Sequence, residues 1–216
     1  METNFIYLAI DTFSYITPLI LIIGIIVFYV KRTQKTSLKF FILFLILSLS
    51  NDLLSRVVSH YYQNNLMFIN TYNIIEVVCL FLIIKANSIN FSPYLKLILL
   101  GILFYNFYEL VDTDYQDYSK YQNYSNSINC IFLLVVCFSQ LIKHIKTEKY
   151  GLTYQLYIYL IIYLTFSTFL NLPMNFFVTY NSDIIYIIWL TNIINVSAFY
   201  TYIVYILWKN GKTQTS

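Results

Sequence analysis

Charge, glycine, proline and cysteine are all scarce in this chain. Charged residues make up 11% of its 216 positions, against about a quarter in a typical soluble domain. With 59% hydrophobic residues and a mean hydropathy of +0.64, that scarcity excludes a cytosolic enzyme and a disordered tail. The three cysteines, Cys79, Cys130 and Cys137, all fall inside apolar stretches and show no Cys-x-x-Cys spacing. They are expected as small buried hydrophobes, so a secreted disulfide scaffold is excluded. The net charge of +3 is modest and its basic residues are spread over short segments, which argues against nucleic acid as a partner.

The chemistry-bearing motifs are missing too. There is no Walker loop, dinucleotide fingerprint or HExxH. The only histidines, His60 and His144, fall near opposite ends of their spans, so they cannot supply paired haem ligands or a His-rich metal site. The segment Trp189 to Tyr205 holds no Lys, which removes the attachment point for a retinal Schiff base. Asp52, Glu76 and Glu109 are scattered, with neither nucleophile nor metal ligands beside them. No catalytic residue, metal site or cofactor is expected, and the chain does not read as an enzyme.

What is abundant is apolar sequence of membrane-spanning length, about 20 residues per helix. Seven such stretches stand at approximately Phe13 to Val30, Lys39 to Tyr61, Leu66 to Ile84, Tyr94 to Val111, Ile128 to Ile145, Thr153 to Met174 and Ile184 to Trp208. The expected fold class is all-α, a polytopic seven-transmembrane-helix bundle forming one domain. Residues 1–12 carry Glu2 and Asp11 but no Lys or Arg, and no small-residue cleavage pattern follows. The first stretch is therefore expected to be retained.

Cytoplasmic loops collect Lys and Arg, and seven spans divide the loops sharply. One side holds Lys31, Arg32, Lys35, Lys39, Lys85, Lys96, Lys143, Lys146, Lys149, Lys209 and Lys212, which is eleven; the other holds Arg56 and Lys120, which is two. The amino terminus is expected outside and the carboxyl terminus in the cytoplasm. The connection at 112–127 repeats Tyr115, Tyr118, Tyr121 and Tyr124 among Asp112, Asp114 and Asp117. It reads as an interfacial segment with its rings at headgroup level, or as a ligand lid.

Polar residues in the spans gather toward the outer side. At 1.5 Å per residue, Asp52 and Arg56 lie about 20 and 25 Å above Lys39, and Glu76 about 14 Å above Lys85. Asn106 and Glu109 lie about 15 and 20 Å above Lys96, Asn171 about 27 Å above Thr153, and Asn192 and Asn195 about 21 to 26 Å above Lys209. Residues three or four apart share a helix face, which pairs Asp52 with Arg56, Asn73 with Glu76, Asn106 with Glu109, Asn171 with Asn175 and Asn192 with Asn195. Buried charge is costly in a membrane and turns toward a bundle interior or a wet cavity. The stripes are thus expected to converge on an outward-facing polar chamber, with Glu76 its deepest ionisable group. The rival reading makes the Asn side chains hydrogen-bonding glue between helices. Pro18 and Pro173 are expected to kink their helices or sit at helix ends.

Asn73-Ile-Ile-Glu76-Val77 matches Asn192-Ile-Ile-Asn195-Val196 in polar spacing, which suggests parallel repeats, three helices on each side of a linking fourth, as transporters use. Together with the basic end after Trp208, these motifs make the chain resemble uncharacterised seven-helix integral membrane proteins of Bacteroidota-type bacteria. That resemblance implies an inner-membrane location and carries no activity or ligand. The expected role is binding or sensing of a small polar or cationic ligand by Glu76, Asn73, Asp52, Arg56, Asn106, Glu109, Asn171, Asn192 and Asn195. The expected partners are the lipid bilayer, that small ligand and a cytoplasmic protein. A secondary transporter and a ligand-free assembly or scaffold protein are the alternatives.

Overall fold

The computed structural model describes residues 2–31, 36–62, 65–113, 123–148, 151–177 and 184–210. Among them are seven α-helices: α1 (Glu2–Lys31), α2 (Thr36–Tyr62), α3 (Leu66–Ala86), α4 (Tyr94–Asp112), α5 (Tyr124–Lys146), α6 (Leu152–Phe177) and α7 (Ile184–Asn210). Each is long and apolar enough to cross a membrane, so the chain is a multi-pass membrane protein. Tyr115, Tyr118, Tyr121, Asp114 and Asp117 lie outside the described residues, as do Arg32, Lys35, Lys120, Lys149, Lys212 and the side chain of Asn175.

The largest early starts relative to hydropathy are those of α1 and α5. Helix α1 begins at Glu2 instead of Phe13, because residues 2–12 contain no Gly or Pro to stop it. Helix α5 begins at Tyr124 instead of Ile128 because its first N–H groups are capped. The Asn123 side chain accepts from Asn126 N at 3.2 Å, and Glu109 accepts from Tyr124 N and Ser125 N. Pro18 and Pro173 both lie inside helices, which continue past them.

Six helices close a ring in the order α1, α2, α3, α5, α6, α7 and back to α1, while α4 packs outside it against α3 and α5. The burial follows this plan. Half of the apolar window of α3 is buried, against 11% for α4, so α3 is the most buried helix of the ring and α4 keeps its apolar surface for lipid. Leu97, Phe104, Phe107 and Val111 on α4 are exposed, as are Ile23 and Ile26 on α1 and Phe169 on α6. Cross-ring contacts fix α3 in place: Tyr157 on α6 donates to Ile84 O at 3.2 Å, and the hydroxyls of Tyr72 on α3 and Tyr200 on α7 meet at 2.7 Å.

The apolar core lies toward the end of the bundle where α1, α3, α5 and α7 finish. There Phe41, Phe44, Leu45, Leu80, Ile83 and Ile203 are all buried. Cys79, Cys130 and Cys137 join this core as free, buried thiols. At the same end α5 holds the α3–α4 connection, since Gln140 Oε1 accepts from Ile89 N at 3.1 Å and Lys143 Nζ donates to Asn90 O at 3.0 Å. Asn90 takes a left-handed conformation (φ 50°), which a short amide side chain tolerates better than most.

Candidate functional site

Most of the buried polar residues occupy the other half of the bundle, Gln140 and His144 excepted, and they form three groups instead of one chamber. The first lines a cavity of about 790 Å³ between α1, α2 and α7. Its walls carry Asp11, Ser14 and Tyr15 from α1, Asp52, Arg56 and His60 from α2, and Trp189 and Asn192 from α7. One turn of α2 brings Arg56 Nε to Asp52 Oδ2 at 2.8 Å. The guanidinium then bridges to α1, with Nη2 donating to Ser14 O and its carbon 5.2 Å from the centre of the Tyr15 ring. Just below, Thr17 Oγ1 and Ser197 Oγ meet at 2.8 Å and tie α1 to α7.

The second group lies deeper and centres on Glu76, which is only 4% exposed. The Tyr163 hydroxyl of α6 donates to Glu76 Oε1, and no cation pairs with Glu76 among the described residues. Asn195 approaches the same tyrosine from α7, its Nδ2 donating to Ser167 Oγ at 3.1 Å and to Tyr163 O at 3.3 Å. The Tyr163 ring stacks on Phe199 at 4.1 Å between centres. Asn171 is buried and donates to Ser167 O at 2.8 Å within its own helix. Glu76 does not line the cavity. Tyr200 and Ser48 each lie one turn, about 6 Å, below cavity residues Val196 and Asp52, and Tyr200 is part of the apolar core.

The third group joins α3, α4 and α5. Asn106 and Asn129 exchange amide hydrogen bonds at 2.9 and 3.0 Å, and Asn129 also donates to Asn73 O at 3.2 Å. Asn73 Nδ2 donates to Asn123 Oδ1 at 2.7 Å. The two oxygens of Glu109 accept from Tyr124 N at 2.9 Å and Ser125 N at 2.7 Å. A carboxylate on exposed N–H groups at a helix start is favoured both by hydrogen bonding and by the helix dipole. Asn73, Asn106 and Glu109 are therefore joined to one another and to α5, away from Asp52, Arg56 and Asn192.

Of the nine residues expected to share a site, the cavity gathers Asp52, Arg56 and Asn192. Glu76, Asn171 and Asn195 meet around α6, and Asn73, Asn106 and Glu109 belong to the knot on α5. Sequence reasoning left Asp11 outside the first helix, which it started at Phe13, and it passed over Ser14 and Tyr15 inside that helix because they stand in an apolar span with no charged residue. It also missed Tyr163 and Tyr200, hidden among twenty-three tyrosines, and the stripe Ser125 and Asn129, whose four-residue spacing was the available signal. Among the described residues no three His, Cys, Asp or Glu side chains come together as metal ligands would. His60 borders the cavity, whereas His144 is buried at the opposite end against the Tyr157 ring. Compared with protein families, curated proteins and solved structures, the chain matches none.

Proposed function

We propose that this protein binds a small polar or cationic ligand in the cavity between α1, α2 and α7, and that it is a receptor-like binding protein and not an enzyme. The carrying observation is the cavity itself: its roughly 790 Å³ falls within the range of ligand pockets, about 300–1,000 Å³, and a restrained ion pair stands in its wall. Asp52, Arg56 and Asn192 are the binding residues retained from the sequence reading. Glu76, Tyr163 and Asn195 form a separate buried group that does not line the cavity. The reading places the amino terminus outside and the cavity facing outward, in the inner membrane of a bacterium. Its support is the charge pattern, since Lys31, Lys39, Lys85, Lys96, Lys143, Lys146 and Lys209 stand at the end opposite the cavity. Those basic ends are the surface for a cytoplasmic protein that would relay occupancy.

A secondary transporter is the second reading. The position of α4 outside the ring, between two sets of three helices, favours it, as does the way Glu76 and Asn195, from matching motifs, flank the same Tyr163. Passage would require the buried layer of Phe44, Leu45, Leu80 and Ile83 to part. Counterflow in reconstituted vesicles, lost in Glu76→Gln, would establish this reading against the first.

Thermal unfolding of the purified protein against a panel of small polar metabolites tests the binding itself. A true ligand at a hundred times its Kd stabilises by about 2.7 kcal/mol, and Asn192→Leu or Arg56→Gln should remove that gain. Stabilisation that survives both substitutions places the ligand elsewhere, and a panel without any stabilising compound counts against the cavity as a binding site.

A further inference from the structure

We infer that the cavity takes an organic monocation, a small ammonium compound, held by the Asp11 carboxylate and the face of Trp189. This rests on the cavity being a binding site and names what it selects. Two carboxyl side chains, Asp11 and Asp52, stand in its wall with one guanidinium, Arg56, and the His60 ring, so the acids outnumber the arginine. The guanidinium is already committed: Nε is on Asp52, Nη2 is on Ser14 O, and its face lies over Tyr15. An anionic ligand would have only Nη1 to meet without disturbing these contacts, and it would do so while facing two carboxylates. Asp11, by contrast, forms no ion pair among the described residues.

The aromatic side chains divide in the same way. Tyr15 has its ring occupied by Arg56, whereas Trp189 lines the cavity, is 37% exposed and stacks on no other ring among the described residues. An indole face is the strongest aromatic partner for a cation, and aromatic faces are how proteins recognise quaternary ammonium groups; Asp11 lines the same cavity. Asn192 adds an amide that accepts N–H or O–H from the rest of the ligand. A divalent metal is disfavoured because it needs six or so oxygen ligands, and Asp52 is already shared with Arg56. A bare alkali ion would leave most of the 790 Å³ unfilled.

The two tryptophans of the chain make the test direct. Trp208 sits at the opposite end, with Lys31 Nζ 4.3 Å from its ring centre, and Trp208→Phe leaves Trp189 as the sole indole reporter. In that background, the full-length protein in lipid nanodiscs is titrated with tetramethylammonium chloride, sodium methanesulfonate and erythritol, with sodium chloride as the ionic control. The expected result is a saturable change in Trp189 fluorescence with tetramethylammonium alone. Asp11→Asn should raise its half-saturation by about tenfold or more, a change equivalent to about 1.4 kcal/mol. Asp11→Glu, which keeps the charge, should restore the response and shows that the loss is not misfolding. A saturable response to the sulfonate or to erythritol without one to tetramethylammonium overturns the monocation assignment and leaves the cavity as a binding site. Equal titrations in Asp11→Asn and its parent overturn the role of Asp11. Silence toward all three probes removes both the assignment and the binding reading beneath it.

Discussion

Glu76 is the residue whose surroundings matter most, because an acid in the core of a membrane bundle has few ways to be accommodated. Its carboxyl group receives the Tyr163 hydroxyl and lies among aromatic and apolar side chains. An ordinary interhelical hydrogen bond in a membrane contributes on the order of 0.6 kcal/mol, whereas a buried polar group left without its partner costs about 1–3 kcal/mol. Tyr163→Phe should therefore destabilise by about 1–3 kcal/mol. Thr17→Val, which breaks the part-buried contact with Ser197, should cost on the order of 0.6 kcal/mol. Unfolding in a mixed detergent and lipid system compares the two. Equal losses would reduce the Glu76–Tyr163 contact to one more bond between helices. The sequence exposes Asp52 and Arg56 as a pair because they lie four residues apart on one helix. It does not expose Tyr163 as the partner of Glu76, because nothing local distinguishes that tyrosine from its neighbours in an aromatic span.

At the scale of the helices, close approach depends on one small residue. A methyl group on Gly24 of α1 would come within 2.7 Å of Leu45 Cδ1 on α2 and 2.9 Å of Val204 Cγ2 on α7. Leu45 is fully buried, so moving its side chain disturbs packed neighbours, and overpacking of this kind typically costs about 1–3 kcal/mol. Gly24→Ala should lower the melting temperature. Gly101→Ala on α4 should leave it unchanged or raise it, since nothing lies within 4 Å of the added carbon and Ala favours helix by up to about 1 kcal/mol. A Gly101→Ala variant as damaged as Gly24→Ala would place a neighbour on the outer face of α4. Hydropathy makes the existence of the seven helices legible, and most of their ends to within a few residues, since composition and length decide membrane insertion; the start of α1, eleven residues before Phe13, is the exception. The order of the ring is not legible, because ranking of neighbours depends on shape complementarity between faces that are all apolar. The capping of α5 by Glu109 is hidden for another reason: the helix start it stabilises extends into sequence of low hydropathy, where Ser125 and Asn126 read as loop.

For the whole molecule, the proposed orientation makes a prediction that needs no ligand. The native cysteines are all buried, so an introduced cysteine should be the only one to react with a membrane-impermeant maleimide. His60→Cys, at the cavity end, should be labelled in intact spheroplasts, and Lys146→Cys, at the exposed end of α5, only after the membrane is opened. The reverse pattern would invert the protein and turn its cavity toward the cytoplasm. The separation of the polar residues into three groups belongs to this scale as well. The stripes on α2, α3, α4, α6 and α7 can be read from spacing alone, but spacing gives only the face of each helix and not the neighbour it meets. Asn73 turns to α5 while Glu76, one turn further along, turns to α6.

The span of these contacts along the chain also governs how the protein is made. Asp52 finds Arg56 four residues later, and Asn106 finds Asn129 after 23, so both are matched almost as soon as they leave the ribosome. Glu76 waits 87 residues for Tyr163, about 4 to 17 s at translation rates of about 5–20 residues per second. Through that interval the nascent third helix carries an acid whose final donor has not been synthesised, so the first half of the chain cannot close its own interior and the bundle is completed only when the second half arrives.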